Sequence, residues 1–383
     1  MKNLILSYCK HLFAGASVLL LLALLLTACS SNGTSASSSL NMVGRVRSDA
    51  PQAPLSQSTL GPQPCPGKAN NLSYWDNILR TSGDAKVESV SCAKFMTSPG
   101  LQALVLVRHP STGSIADVYV YAKILSHKPA RIFKLSGLLH GKAKISVYNT
   151  VLTAQAQNSS TLVPDLFREF KWSDGAGAFE QTVFPGMFPD MTRYQAEADQ
   201  AEVNQGHQPW KLDALDTTKS ALGLFKRDWN NPVTLVSGGG LHDAHAVVRV
   251  EAYPQGSGAF AILVKLSRLE GNTHGGIWEI VAVQGNRMSL TAPVNGALLT
   301  SPTIVKGSAP LFEAEAGVVE ILDSHYTRIG SAIATGSPFS VRVSYTSSFH
   351  GGAQEGIVSL YHQSGANTPY MVKVLLGGLP QPC

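Results

Sequence analysis

The chain is poor in recognisable chemistry. Its 383 residues contain no Gly-x-Ser-x-Gly elbow, His-Glu-x-x-His helix, Cys-x-x-Cys pair or Walker loop, so the local arrangements that place a nucleophile, a zinc ion or a nucleotide phosphate are missing. Charge of one sign is scarce as well: 30 Lys and Arg against 25 Asp and Glu leave +5, scattered along the chain. Nucleic-acid binders concentrate Lys and Arg on one face, which argues against nucleic acid as a partner and against membrane adhesion by charge alone. Cysteine is rare, at five residues. The apolar run from Phe13 to Leu26 is shorter than the roughly 20 residues that span a bilayer.

What is present begins at that run. Lys2 and Lys10 precede it, Leu26-Thr27-Ala28-Cys29 closes it, and Ser30-Ser31-Asn32-Gly33 follows in place of a basic stop-transfer cluster. This pattern fits an export signal. Small residues ahead of a cysteine at the cut site resemble the bacterial lipobox. The resemblance implies that residues 1–28 are removed as a lipoprotein signal peptide and that the Cys29 thiol carries a diacylglyceryl group. The mature chain would then be lipid-anchored at the extracytoplasmic face of the cell membrane. An uncleaved anchor helix and an ordinary export signal are the alternatives. Each buried acyl methylene contributes about 0.8 kcal/mol, so several chains make a stable anchor without a transmembrane helix.

With Cys9 discarded and Cys29 committed to lipid, Cys65, Cys92 and Cys383 remain. Thiols outside the membrane can oxidise, and a Cys65–Cys92 disulfide is the preferred pairing. Pairing of Cys383 with Cys65 competes with it, as do three free thiols.

Residues 29–66 are rich in Ser, Pro, Gln, Asn and Gly, a composition that cannot repay the entropy of folding and reads as a disordered tether. Folded structure is expected from near Leu72, with Ser73 capping a short helix that carries Tyr74, Trp75, Ile78 and Leu79. Periodicity then changes to two, and 67–187 reads as a helix plus an antiparallel β unit, with a hairpin at Ser173-Asp174-Gly175-Ala176-Gly177.

Residues 188–286 read as an α+β, cone-like unit. Thr192 and Gln195 have capping-box spacing, with Tyr194, Ala198, Ala201 and Gln205 on one face. A second helix opens at Asp213 with an expected buried stripe of Leu215, Leu222, Phe225 and Trp229. Strands follow at Val233–Val236, Ala246–Tyr253, Phe260–Leu269 and Gly276–Val283, an order loosely similar to cystatin-like and nuclear-transport-factor-like cones.

In the last segment, Ser289-Leu290-Thr291-Ala292-Pro293-Val294-Asn295-Gly296, Ser301-Pro302, Val305-Lys306-Gly307-Ser308-Ala309 and Phe312-Glu313-Ala314 are followed by Pro338-Phe339-Ser340. Together they resemble the bacterial spore germination immunoglobulin-like domain. The resemblance implies that 287–380 is an immunoglobulin-like β-sandwich, a non-catalytic module of secreted or envelope proteins. The fold class expected for the whole chain is α+β, mostly antiparallel β.

Three clusters invite chemistry. Gly238-Gly239-Gly240-Leu241-His242-Asp243-Ala244-His245 lacks the Lys-Ser/Thr ending of a phosphate loop, and His242 and His245 would diverge on a strand, so an exposed turn is expected. Glu313 and Glu315 share a face if 312–316 is a strand, opposite a core face of Phe312, Ala314 and Ala316. Trp172 and Trp210 are the indoles open to a sugar-stacking role, the other three fitting core packing. No catalytic residue, cofactor or metal is expected.

The reading is a lipid-anchored envelope protein with a non-catalytic binding or structural role. Its partners are the membrane through its lipid and an envelope protein or polysaccharide. Two alternatives stand beside it: an envelope hydrolase with its site in 188–286, favoured by ionisable groups lining a pocket around His207, Trp210 or His242, and a sporulation or germination partner-binding component.

Overall fold

The computed structural model describes residues 60–377 apart from 82, 113, 158–162, 252–260, 272–274, 348–351 and 363–366. The signal at 1–28, Cys29, the tether up to residue 59 and Cys383 lie outside the described residues. Folded contacts start ahead of Leu72. Gly61 N donates to Asn149 Oδ1 at 2.8 Å, Gln63 and Cys92 exchange two backbone hydrogen bonds, and Cys65 is disulfide-bonded to Cys92. This bridge and cross-link pin the end of the expected tether to the first sheet.

Asn71, not Ser73, caps the first helix, α1 (Leu72–Leu79), by accepting from Ser73 N; Arg80 ends it in the left-handed conformation. Its Trp75 is fully buried and spends its indole N–H on Ala69 O at 2.8 Å.

Strands β1 (Lys86–Ala93), β2 (Gln102–His109), β3 (Ile115–Ala122) and β4 (Ala130–Leu139) form an antiparallel meander. The run Ala103–Val107 is apolar throughout because both faces of β2 are covered. Ala103, Val105 and Val107 meet Trp75, while Leu104 and Leu106 meet Ile145, Val151 and Phe170 of a second meander. That second sheet comprises β5 (Lys142–Ile145), β6 (Val151–Gln155), β7 (Leu166–Ser173) and β8 (Ala178–Thr182), with β7 and β8 joined at the expected hairpin.

Helix α2 (Arg193–Asn204) is capped by Thr192, as its spacing predicts. Its buried face is Ala196, Gln200 and Val203, not the expected Tyr194, Ala198, Ala201 and Gln205. Helix α3 (Ala214–Ser220) is shorter than expected. Leu222 and Phe225 enter the core from the turns behind it, whereas Trp229, expected in the same stripe, is 79% exposed. A helical stripe cannot be extrapolated past the end of its helix.

The largest sheet has nine strands. Strands β9 (Val233–Gly238), β10 (His245–Val250), β11 (Ile262–Arg268) and β12 (Trp278–Gly285) are followed in space by β20 (Thr368–Gly377), β19 (Ala353–His362), β16 (Glu315–Leu322) and β17 (Arg328–Thr335). The short β14 (Leu298–Leu299) lies parallel to β20, and β12 joins β20 antiparallel through Val283 and Met371. Pairing therefore runs across residues 286 and 287.

One face of this sheet packs on α3 and Phe225. Residues of β16, β17, β19 and β20 also share a core with the three-stranded sheet β13 (Ser289–Ala292), β15 (Thr303–Ser308) and β18 (Phe339–Val343). On β19, Ile357 and Tyr361 serve the first core while Val358 and Leu360 serve the second. The architecture is β-rich α+β, mostly antiparallel, with three α-helices among the described residues.

Candidate functional site

A cleft of about 580 Å³ opens where the turn after α3 meets β16, β17 and β19. Glu320 and Leu322 project from one face of β16. Tyr361 joins that face from β19, because Glu320 lies opposite Ser359 and Tyr361 is two residues further along. Arg328 enters from β17 diagonally, its direct partner being Leu322. Between the two strands Asp323 Oδ1 accepts from His325 N and Thr327 N, a side-chain-stabilised turn that places Tyr326 at φ +60°. Lys226 adopts φ +54° where the chain turns after α3.

The polar groups of the cleft are engaged with one another. Glu320 Oε2 is 2.8 Å from Lys226 Nζ, and Oε1 is 3.3 Å from Arg328. Lys226 Nζ also sits 3.8 Å from the Tyr361 ring centroid, a close cation–π contact. Tyr361 donates its hydroxyl to Leu224 O at 3.0 Å, and Tyr326 donates to Met187 O and Pro189 O. Burial pushes the Tyr361 phenol up to about 12. Tyr326 is driven well above its ordinary value, first by burial and then by the charges of Glu279 and Asp190. Both phenols thus remain donors at neutral pH.

Behind the cleft lies a layer of buried ions. Lys373, 2% exposed, donates to Gly186 O and Met191 O and pairs with Glu355, 1% exposed, at 2.8 Å. Burial lowers the Lys373 ammonium, against the pull of Glu355, and raises the Glu355 carboxyl to about 7. Asp190 N donates to Glu279 Oε2 at 3.3 Å. Burial first, and then for Glu279 the neighbouring Asp190 charge, raises both carboxyls; Lys211, which also pairs with Asp199, opposes the rise. A third group joins Arg193 to Glu169 and Glu270. These ions fasten residues 186–193 and α2 to the large sheet and, through Glu169, to β7.

The residues singled out in the sequence do not converge. Cys65 and Cys92 form a buried structural bridge. His245 contacts Ser267 Oγ at 2.9 Å, while Asp243 accepts from Gly240 N within the β9–β10 loop. No cluster of three metal-ligating side chains occurs among the described residues. Glu313 and Glu315 do not share a strand face: Glu313 and Ala314 have positive φ in a two-residue turn closed by reciprocal Phe312–Glu315 backbone hydrogen bonds, and Phe312 is exposed. His207 pairs with Glu202 at 2.6 Å on the surface. Trp172 donates to Asp174 and packs on Phe179. Trp210 comes nearest the cleft, its ring 6.4 Å from that of Phe188, which forms one wall.

No family model, curated protein or solved structure matches this chain. Sequence reasoning missed Lys226, Glu320, Arg328, Tyr326 and Tyr361 because they come from separate segments. One signal was available: Glu279 and Lys373 are each the one charge of a largely apolar strand, and Glu320 stands between Val319 and Ile321, where a charge is retained only with a partner.

Proposed function

We propose that the protein is an exported, lipid-anchored component of the cell envelope that binds a partner rather than transforming one. The observation that carries the anchor is the Leu26-Thr27-Ala28-Cys29 sequence behind an apolar run with Lys2 and Lys10 ahead of it. The Cys65–Cys92 disulfide supports an oxidising compartment. An immunoglobulin-like module of the spore germination type in 287–380 rests on the resemblance carried by Ser289-Leu290-Thr291-Ala292-Pro293, Val305-Lys306-Gly307-Ser308-Ala309 and Pro338-Phe339-Ser340.

Binding is favoured over hydrolysis by how the cleft groups are spent. The carboxylate of Glu320 is held by two cations and both phenols donate to backbone carbonyls. None of these is poised to move a proton to or from a substrate. Radiolabelled palmitate is expected in the full-length product and absent from a Cys29→Ala variant. Recovery of the whole polypeptide, Met1 included, from a soluble intracellular fraction would refute the anchor.

A further inference from the structure

The cleft has a sign. Its anion, Glu320, is 5% exposed, whereas the two cations that hold it, Lys226 and Arg328, are 40% and 62% exposed. A ligand entering from solvent meets the cations first, with the carboxylate beneath them. Arg328 offers a planar array of N–H donors, only one of which points at Glu320. Phe188 and Tyr326, half-buried with ring centroids 6.2 Å apart, supply apolar wall beside those charges. The volume of about 580 Å³ lies in the range of small-molecule sites.

We infer that this cleft binds an organic anion, a carboxylate carried on a ring of sugar or aromatic size, with the carboxylate at Lys226 and Arg328 and the ring against Phe188 and Tyr326. Glu320 then acts as a built-in competitor. It holds the two side chains in place when the cleft is empty and is displaced from part of their donor set when ligand arrives. This rests on reading the protein as a binder.

Titration calorimetry on the full chain tests it, with digalacturonate, its neutral methyl ester, 4-hydroxybenzoate and inorganic phosphate as probes. Digalacturonate or 4-hydroxybenzoate should bind, and which one does identifies the sugar or the aromatic source. The methyl ester and phosphate should bind at least about tenfold more weakly, the loss expected for one charge-assisted contact. Arg328→Leu, at an exposed position, should weaken binding by a similar factor, as should raising salt from about 0.05 M to about 0.5 M.

Glu320→Gln is the discriminating variant, since removal of the competing charge should tighten an organic anion several-fold. Equal binding of ester and acid, binding of phosphate as tight as that of the acids, binding of neither acid, or loss of acid binding in a folded Glu320→Gln protein would each overturn the inference. Should Glu320→Gln fail to fold, Arg328→Leu and the ester decide. Turnover of a bound acid would refute the binding-only reading yet leave the ligand class standing.

Discussion

Glu355 and Lys373 lie diagonally on neighbouring strands, Glu355 opposite Leu375 and Lys373 opposite Ile357, with their charged atoms 2.8 Å apart in the interior. The ammonium also holds the carbonyls of Gly186 and Met191, so this pair fastens the 186–191 segment to the sheet behind the cleft.

Removing one partner leaves the other as an uncompensated buried charge, which costs about 3–5 kcal/mol. Lys373→Met should therefore lower the unfolding free energy by about that amount in urea titrations. It orphans two carbonyls besides stranding Glu355, so adding Glu355→Gln to it should restore only part of the loss.

Stability should fall as pH rises through the weakly acidic range. Burial raises the Glu270 and Glu355 carboxyls to about 7, and it raises Asp190 and Glu279 as well. The folded state then binds more protons than the unfolded chain, whose carboxyls titrate near 4, and stability is lost between about pH 4 and about pH 7. Lys211 and Lys373, lowered by burial, contribute in the opposite direction as pH rises through their own folded values towards about 10.5. Urea midpoints measured from pH 4 to pH 7 should decline, and Glu270→Gln should flatten the slope.

Gly317 sits at φ +137° in the bulge between β16 and β17, where a Cβ would lie 2.2 Å from Tyr361 O. The obstacle is backbone, so it cannot swing away. Gly317→Ala should cost more than about 1 kcal/mol and disturb Tyr361, visible as a fall in melting temperature together with weakened ligand binding.

Reduction should loosen the start of the fold before the rest. The bond between Cys65 and Cys92 closes a loop with a sequence separation of 27, worth about 3.5 kcal/mol in the chain-entropy model. Cys92→Ala should show a loss of that order in urea, and amide exchange should speed up first in residues 61–71. Peptide mapping without reductant should recover Cys65 linked to Cys92.

The strand pattern was legible where one or both faces of a sheet are covered by apolar side chains. The strands expected at Val233–Val236, Ala246–Tyr253, Phe260–Leu269 and Gly276–Val283 correspond, within the described residues, to β9, β10, β11 and β12. The hairpin of β16 and β17 escaped because Gly317, Gly330 and its alanines dilute the alternation, and because its turn, held by the Asp323 side chain with Tyr326 at positive φ, uses neither Gly nor Asn. The α2 face was misread for a different reason: α2 packs against polar as well as apolar groups, and Gln200 is buried to bond Gly275 O and Ile277 N. Trp229 had no helix left to carry it inward. The cleft was illegible as a site because residue 188, the 223–226 turn, β16, β17 and β19 meet only once the large sheet is assembled.

The order of that assembly follows from β20. It is the last described strand in the chain, and it pairs with β19 on one side and with β12 and β14 on the other. Until residues 368–377 are in place, both flanks present unsatisfied amide and carbonyl rows, the kind of border that recruits foreign strands. Without β20 the polypeptide holds two unfinished half-sheets whose seam is sewn late, and a truncated copy would be prone to clump rather than to wait.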